Sequence, residues 1–170
     1  CSVKLAHVLL AKMVDRGLLH VKKHHSRRWD YFLTPTGIAE KARITYEFID
    51  FSMQFYHEAR RESSRVCRDV SQLGKKTVAF LGDSELAEIA YLGVKEWNLE
   101  LKEVFGEEKK EFLGLQVQPF EAVPASSSDA IIVCLYDKTL PMRADYLPDG
   151  MTRNDKMIWV FSEKYYDQQG

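Results

Sequence analysis

The chain has no long apolar run. None of its 170 residues falls in a stretch near the ~20 consecutive apolar residues of a membrane span, so no membrane partner is expected. Cysteine is scarce and badly placed for chemistry. Cys1, Cys67 and Cys134 are odd in number, far apart and without a C-x-x-C, which argues against a disulfide framework or a zinc site and for a reducing cytoplasm. Histidine is missing from everything after His57, and no G-x-S-x-G is present, so the second half offers no nucleophile with a base and no catalytic residues are expected. Cys134 lies inside the apolar IIVCLY, which suits a buried, inert thiol. A first residue that is Cys rather than Met is read as a missing N-terminus. From Ile38 to Leu73 there is neither proline nor glycine, and that absence predicts one long helix over Gly37–Leu73.

What is present is a polar split. Residues 1–76 carry 15 Lys/Arg against 8 Asp/Glu, net +7, whereas residues 77–170 carry 9 against 17, net −8. Such asymmetry points to a polyanion partner for the first part, with chance segregation of solvated charge as the plain alternative. Composition is globular, at 45% hydrophobic and 29% charged.

In order, Ser2 is an N-cap candidate for VKLAHVLLAKMVDR, which sets Ala6, Leu9, Leu10, Met13 and Val14 on one face and ends at Gly17. LLHV and WDYFL read as two strands around the basic turn Lys22–Arg28, and Thr34-Pro35-Thr36-Gly37 starts the long helix. The order helix, basic hairpin, T-P-x-G, helix resembles the second half of a MarR-type winged helix-turn-helix. TPTGIAEKARITYEFI is similar to a subgroup of regulators associated with exopolysaccharide operons. The resemblance covers about residues 1–60 and implies binding of double-stranded DNA. Ser2, Lys4 and His7 then lie at the reading end of a recognition helix, and Lys12 is placed for phosphate. The wing cations Lys22, Lys23, Arg27 and Arg28 suit phosphate or minor-groove contact.

The long helix carries two apolar stripes: Ile38, Ala42, Thr45, Ile49, Met53 and Tyr56, and Ile44, Phe48, Phe51 and Phe55 at coiled-coil spacing. The second stripe predicts a homodimer interface, against an intramolecular core as its rival. HEARRESSRVCRD turns polar and predicts a solvated spacer up to Gly74.

From Lys75, apolar runs alternate with helical patterns: strands at Thr77–Leu81, at LELKEVFGE, at Gln116–Gln118, at Ala130–Tyr136 and at MIWVF, and a helix near Glu85–Trp97. This part resembles Rossmann-like nucleotide- or sugar-binding modules, one of which follows the winged helix of the redox-sensing repressor family. The matching turn is Gly82-Asp83-Ser84-Glu85-Leu86-Ala87. Ser84 stands where a glycine would let a pyrophosphate approach the backbone, and Asp83 and Glu85 oppose a phosphate there. Glu107, or its neighbour Glu108, takes the place of the ribose-binding acid. A nucleotide or dinucleotide is therefore not the favoured ligand; an uncharged or cationic effector, or a sheet kept as scaffold, is.

The sequence thus predicts an α/β chain in three parts. Residues 1–36 are the C-terminal part of a winged helix, 37–74 a linker and dimerisation helix, and 75–170 a Rossmann-like ligand-binding domain. Its expected function is DNA-binding transcriptional regulation with a small-molecule effector at Gly82, Asp83, Ser84, Glu85 and Glu107. An interaction scaffold, or a nucleotide- or sugar-binding enzyme domain with an appended winged helix, is the alternative.

Overall fold

The computed structural model describes residues 2–24, 28–137, 146–148 and 151–161, with Arg28 described by its backbone alone. It is a mixed α/β chain that divides into two compact units, Cys1–Met53 and Gln54–Gly170. Arg27 and the Arg28 side chain, both expected at the wing, lie outside the described residues, as does Cys1.

In the first unit, α1 (Val3–Asp15) is N-capped by Ser2, whose Oγ accepts the Leu5 amide at 3.3 Å. It ends in a Schellman pattern: Gly17 has φ +68°, its N–H reaches the Val14 carbonyl, and the Leu18 N–H reaches Met13. No residue of α1 is buried, and Val3, Leu5, Val8 and Leu9 stand exposed. β1 (Leu19–His24) and β2 (Arg28–Leu33) pair antiparallel from Leu19↔Leu33 to His24↔Arg28.

The turn into α2 (Pro35–Gln72) explains the T-P-T-G sequence. Thr34 Oγ1 accepts the Gly37 amide at 2.9 Å and donates to the Gly17 carbonyl at 2.6 Å, so one hydroxyl caps α2 and ties it to the end of α1. Pro35 takes the first helical position, where its missing N–H costs nothing. Gly37 is obligatory for a different reason: a Cβ there would stand 2.0 Å from the Leu18 carbonyl oxygen.

In the second unit, β3 (Thr77–Leu81), β4 (Glu100–Phe105), β5 (Glu111–Phe112), β6 (Leu115–Gln118), β7 (Ala130–Val133) and β8 (Met157–Trp159) form one sheet ordered β5-β6-β4-β3-β7-β8. All its pairings are parallel except that of β5, an antiparallel edge on β6. Without β5, the order across the sheet is third, second, first, fourth, fifth, the doubly wound arrangement whose crevice opens between the first and fourth strands. The central strands are buried on both faces, as parallel strands are, which is why TVAFL and AIIV are continuous apolar runs.

One face packs Val78, Phe80, Val104 and Ile132 against α3 (Glu85–Glu96) and the second half of α2. The other packs Ala79, Leu81, Phe105, Ile131 and Val133 under Val123 of the 3-10 helix Phe120–Ala125, with Met157 and Trp159. That short helix connects β6 to β7, and β5 lies in the chain between β4 and β6.

The expected solvated spacer is not one. Ala59, Ser63, Val66, Cys67 and Val70 of α2 are completely or almost completely buried, as a layer of the α/β core. The residues between them are charged except Ser64, so HEARRESSRVCRD reads as polar on average while hiding a narrow stripe of small side chains at helical spacing. Those small side chains let the helices close. Gly93 of α3 is so near that a Cβ would lie 3.1 Å from both the Cys67 Sγ and the Ser63 carbonyl oxygen. Trp97 Nε1 donates to Ser64 Oγ, and Arg60 pairs with Glu96 at 2.6 Å, across the same α2–α3 seam.

Candidate ligand cleft and nucleic-acid surface

The crevice between β3 and β7 is built from the strand ends. At Gly82 the chain takes φ +111°, and a Cβ would sit 3.0 Å from the Cys134 carbonyl carbon and oxygen, so only glycine fits where β3 turns beside β7. Flanking backbone bonds fix the turn: Cys134 N–H to Leu81 O at 2.7 Å and Gly82 N–H to Phe105 O at 2.8 Å.

Asp83 follows, and it is buried at 3% exposure. Its Oδ2 accepts the amides of Glu108 (3.0 Å) and Lys109 (2.6 Å), pinning the loop after β4 to the turn after β3. Gly106 makes this fit: a Cβ there would stand 2.3 Å from the Asp83 Cγ. Ser84 occupies the N-cap position of α3 without capping it, and its Oγ points at the Cys134 carbonyl at 3.5 Å. Glu85 meets the Tyr136 hydroxyl, which donates to its Oε2 at 3.3 Å. Burial, then the Glu85 charge, pushes the Tyr136 phenol above its usual range.

These groups line an open cleft of about 350 Å³ that contains Gly82, Asp83, Ser84, Glu107, Glu108 and Asp137 with Phe120, Leu135, Tyr136, Tyr146 and Pro148. A second cleft, of about 740 Å³, shares Glu107, Phe120, Tyr146 and Pro148 and continues to Met151, Asn154 and Met157. The structure therefore brings Gly82, Asp83, Ser84 and Glu107 of the sequence-derived site together, with Glu85 linked through Tyr136. Sequence reasoning did not assign the aromatic wall of Phe120, Tyr136 and Tyr146. Tyr136 was within reach, two residues beyond Cys134 at the end of an apolar strand; Phe120 and Tyr146 lie outside regular strands and carry no pattern.

The residues do not fit a dinucleotide. A pyrophosphate needs close backbone approach and free amides at the first turn, with a ribose at the end of the second strand. Here a serine replaces the second glycine, Glu85 and Glu88 crowd the first turn of α3, and Asp83 fills the space at the end of β4. Lys109, a cation of that loop, is engaged by Glu88 at 2.6 Å, which raises its pKa. Among the described residues neither thiol is poised for reaction: burial pushes Cys67 up to about 12 and Cys134 well above its ordinary range.

The candidate nucleic-acid residues all lie in the first unit. Lys4, His7 and Lys12 are exposed along α1, while Ser2 is engaged as its cap. Lys22 and Lys23 are exposed on β1, opposite Asp30 and Trp29. The Lys23 ammonium lies 5.5 Å from the Trp29 ring centroid, and His24 Nε2 is 3.4 Å from the Asp30 carboxylate. Asp30 thus offsets part of the hairpin's positive charge, a feature that counting Lys and Arg in the turn passed over.

On α2, every residue from Lys41 to Asp50 is exposed, so this stretch of helix is bare around its whole circumference. Ile44, Phe48 and Phe51 of the expected seam are exposed at 53%, 70% and 46%. Phe55 departs from them. It is half-buried within its own unit, with ring centroids 5.5 Å from Tyr136 and 5.8 Å from Phe161. Among the described residues no helix is long and apolar enough to cross a membrane.

Comparison with protein-family models, with curated proteins and with solved structures finds no match to this chain.

Proposed function

We propose that this chain is a DNA-binding transcriptional regulator of the MarR-like winged-helix kind, fused to a Rossmann-like unit that senses a small molecule. The observation that carries the reading is α2. This one helix starts at the Thr34–Gly37 turn beneath a basic hairpin and ends as a core layer of an α/β unit with a strand-end cleft. DNA is met by α1 through Lys4 and His7, with Lys12 toward phosphate, and by the hairpin through Lys22 and Lys23. The exposed apolar residues Ile44, Phe48 and Phe51 on the bare part of α2 meet the same helix of a second copy, because two half-sites need two reading heads.

The effector occupies the cleft at Gly82, Ser84, Glu107 and Tyr136. It acts only by binding one arrangement of the dimer more tightly than another. The role assigned to the cleft is recognition, and the cell compartment is the one that holds the DNA, the cytoplasm.

Selection of bound duplexes from a random pool tests the reading. The expected result is a two-fold symmetric site whose halves lie about 10–10.5 base pairs apart, or a multiple of that. Recovery of no sequence preference, from a chain that still self-associates through α2, would favour an interaction scaffold instead.

A further inference from the structure

We infer that Asp83 is a selectivity residue: an anion built into the β3–α3 turn that closes the strand-end cleft to phosphate-bearing ligands and leaves it to compact, unphosphorylated ones. The inference deepens the sensing half of the proposed function and rests on that cleft being the ligand site.

In a nucleotide-binding turn of this fold, the ligand's phosphate meets amides beyond the first strand, and its ribose lies against the loop beyond the second. In this chain the amides of the loop beyond the second strand are satisfied from within. The Asp83 carboxylate is 3% exposed and holds the Glu108 and Lys109 amides at 3.0 and 2.6 Å. It lies so close over Gly106 that no side chain fits between them. A carboxylate receiving two backbone N–H groups in a buried setting is a strong, charge-assisted arrangement. A phosphate seated on those amides would have to displace it, and one beside it would face its charge at short range. What remains for a ligand is the aromatic wall of Phe120, Tyr136 and Tyr146 around about 350 Å³, enough for a small ring-bearing molecule.

The glycine at 106 is the other half of the same fit. In a turn meant for a nucleotide, the room that it leaves would belong to the ligand. Here the protein's own carboxylate takes it.

The test is calorimetry and thermal-shift measurement on the full chain with inorganic pyrophosphate, ADP-ribose and NAD. Wild type, Asp83→Ala and Asp83→Asn are compared. The wild-type chain responds to none of the three. Asp83→Ala frees the two amides and the space over Gly106, and gains pyrophosphate-dependent stabilisation with affinity at least about tenfold above wild type. Asp83→Asn keeps an acceptor oxygen and fills the space, so it stays unresponsive; this separates occupancy of the pocket from loss of charge. If Asp83→Ala does not fold, Asp83→Ser carries the same comparison, with the same gain expected.

Binding of pyrophosphate or NAD by the wild-type chain overturns the inference, as does a folded Asp83→Ala or Asp83→Ser chain with no gain. The sensing reading fails separately. It falls if no small molecule binds the wild-type cleft, an outcome in which the anion gained by Asp83→Ala would still establish what Asp83 occupies.

Discussion

Single atoms decide several of the turns in this chain. The Leu18 carbonyl oxygen occupies the place a Cβ at residue 37 would need, at 2.0 Å, so Gly37→Ala must push α2 off the hairpin or distort its first turn. We expect a loss of about 1–3 kcal/mol in the first unit, in the range of overpacked sites, read from chemical denaturation; an unchanged midpoint would contradict the packing described.

Asp129 acts at the opposite end of the sheet from the cleft. Its Oδ2 accepts the Thr77 amide, the Lys76 amide and the Thr77 hydroxyl, and these bonds hold its carboxyl down to about 2. In the unfolded chain the same carboxyl titrates near ~3.9. Its folded-state pKa is therefore depressed. The stability it contributes is fully present above about pH 4 and is lost as pH falls toward about 2. Unfolding measured across that window should become less pH-dependent in Asp129→Asn, and an identical profile would remove Asp129 as its source. At this scale the sequence was only partly legible. Thr34, Pro35 and Gly37 announced a helix start because capping chemistry is local. The Asp83–Gly106 fit joins residues just past the ends of two strands and depends on β3–β4 register, which no local pattern encodes.

At the level of elements, α2 changes character along its length. Its first half is bare from Lys41 to Asp50 and studded with Ile44, Phe48 and Ile49, whereas its second half is a core layer. The change is visible in side-chain size. Large aromatics mark the exposed part, and the small residues Ala59, Ser63 and Cys67 mark the part that α3 must approach closely, through Gly93. A hydropathy reading ranks these two halves the wrong way round, because it weighs size and apolarity and not fit. Phe48→Glu with Phe51→Glu should convert a dimer to a monomer in analytical ultracentrifugation while leaving thermal unfolding of the second unit unchanged, since neither side chain is buried there. A dimer that survives both changes would show that the helix face is not the interface. The strands β3 and β7 were legible as continuous apolar runs. The two-residue β5 and the 3-10 helix were not, being too short for any period to register.

For the whole molecule, the charge split between the two parts of the chain is the feature that ties sequence to proposed activity. The basic part contains α1 and the hairpin, and the acidic part contains the α/β sheet with its carboxylate-lined cleft. The α/β class and the sheet's parallel core followed from strand and helix periodicity. The winged-helix reading rests on residue order and on the capping turn, and DNA binding rests on that reading.

Its most direct test is the salt dependence of duplex binding by the full chain, compared with Lys22→Gln/Lys23→Gln. If the hairpin is a wing on phosphate, log affinity against log salt should fall steeply in wild type. The slope should shrink by about 0.9 for each phosphate contact removed, so by roughly 2 in the double variant. An identical slope in the two proteins, or no salt-dependent binding in either, would contradict the account.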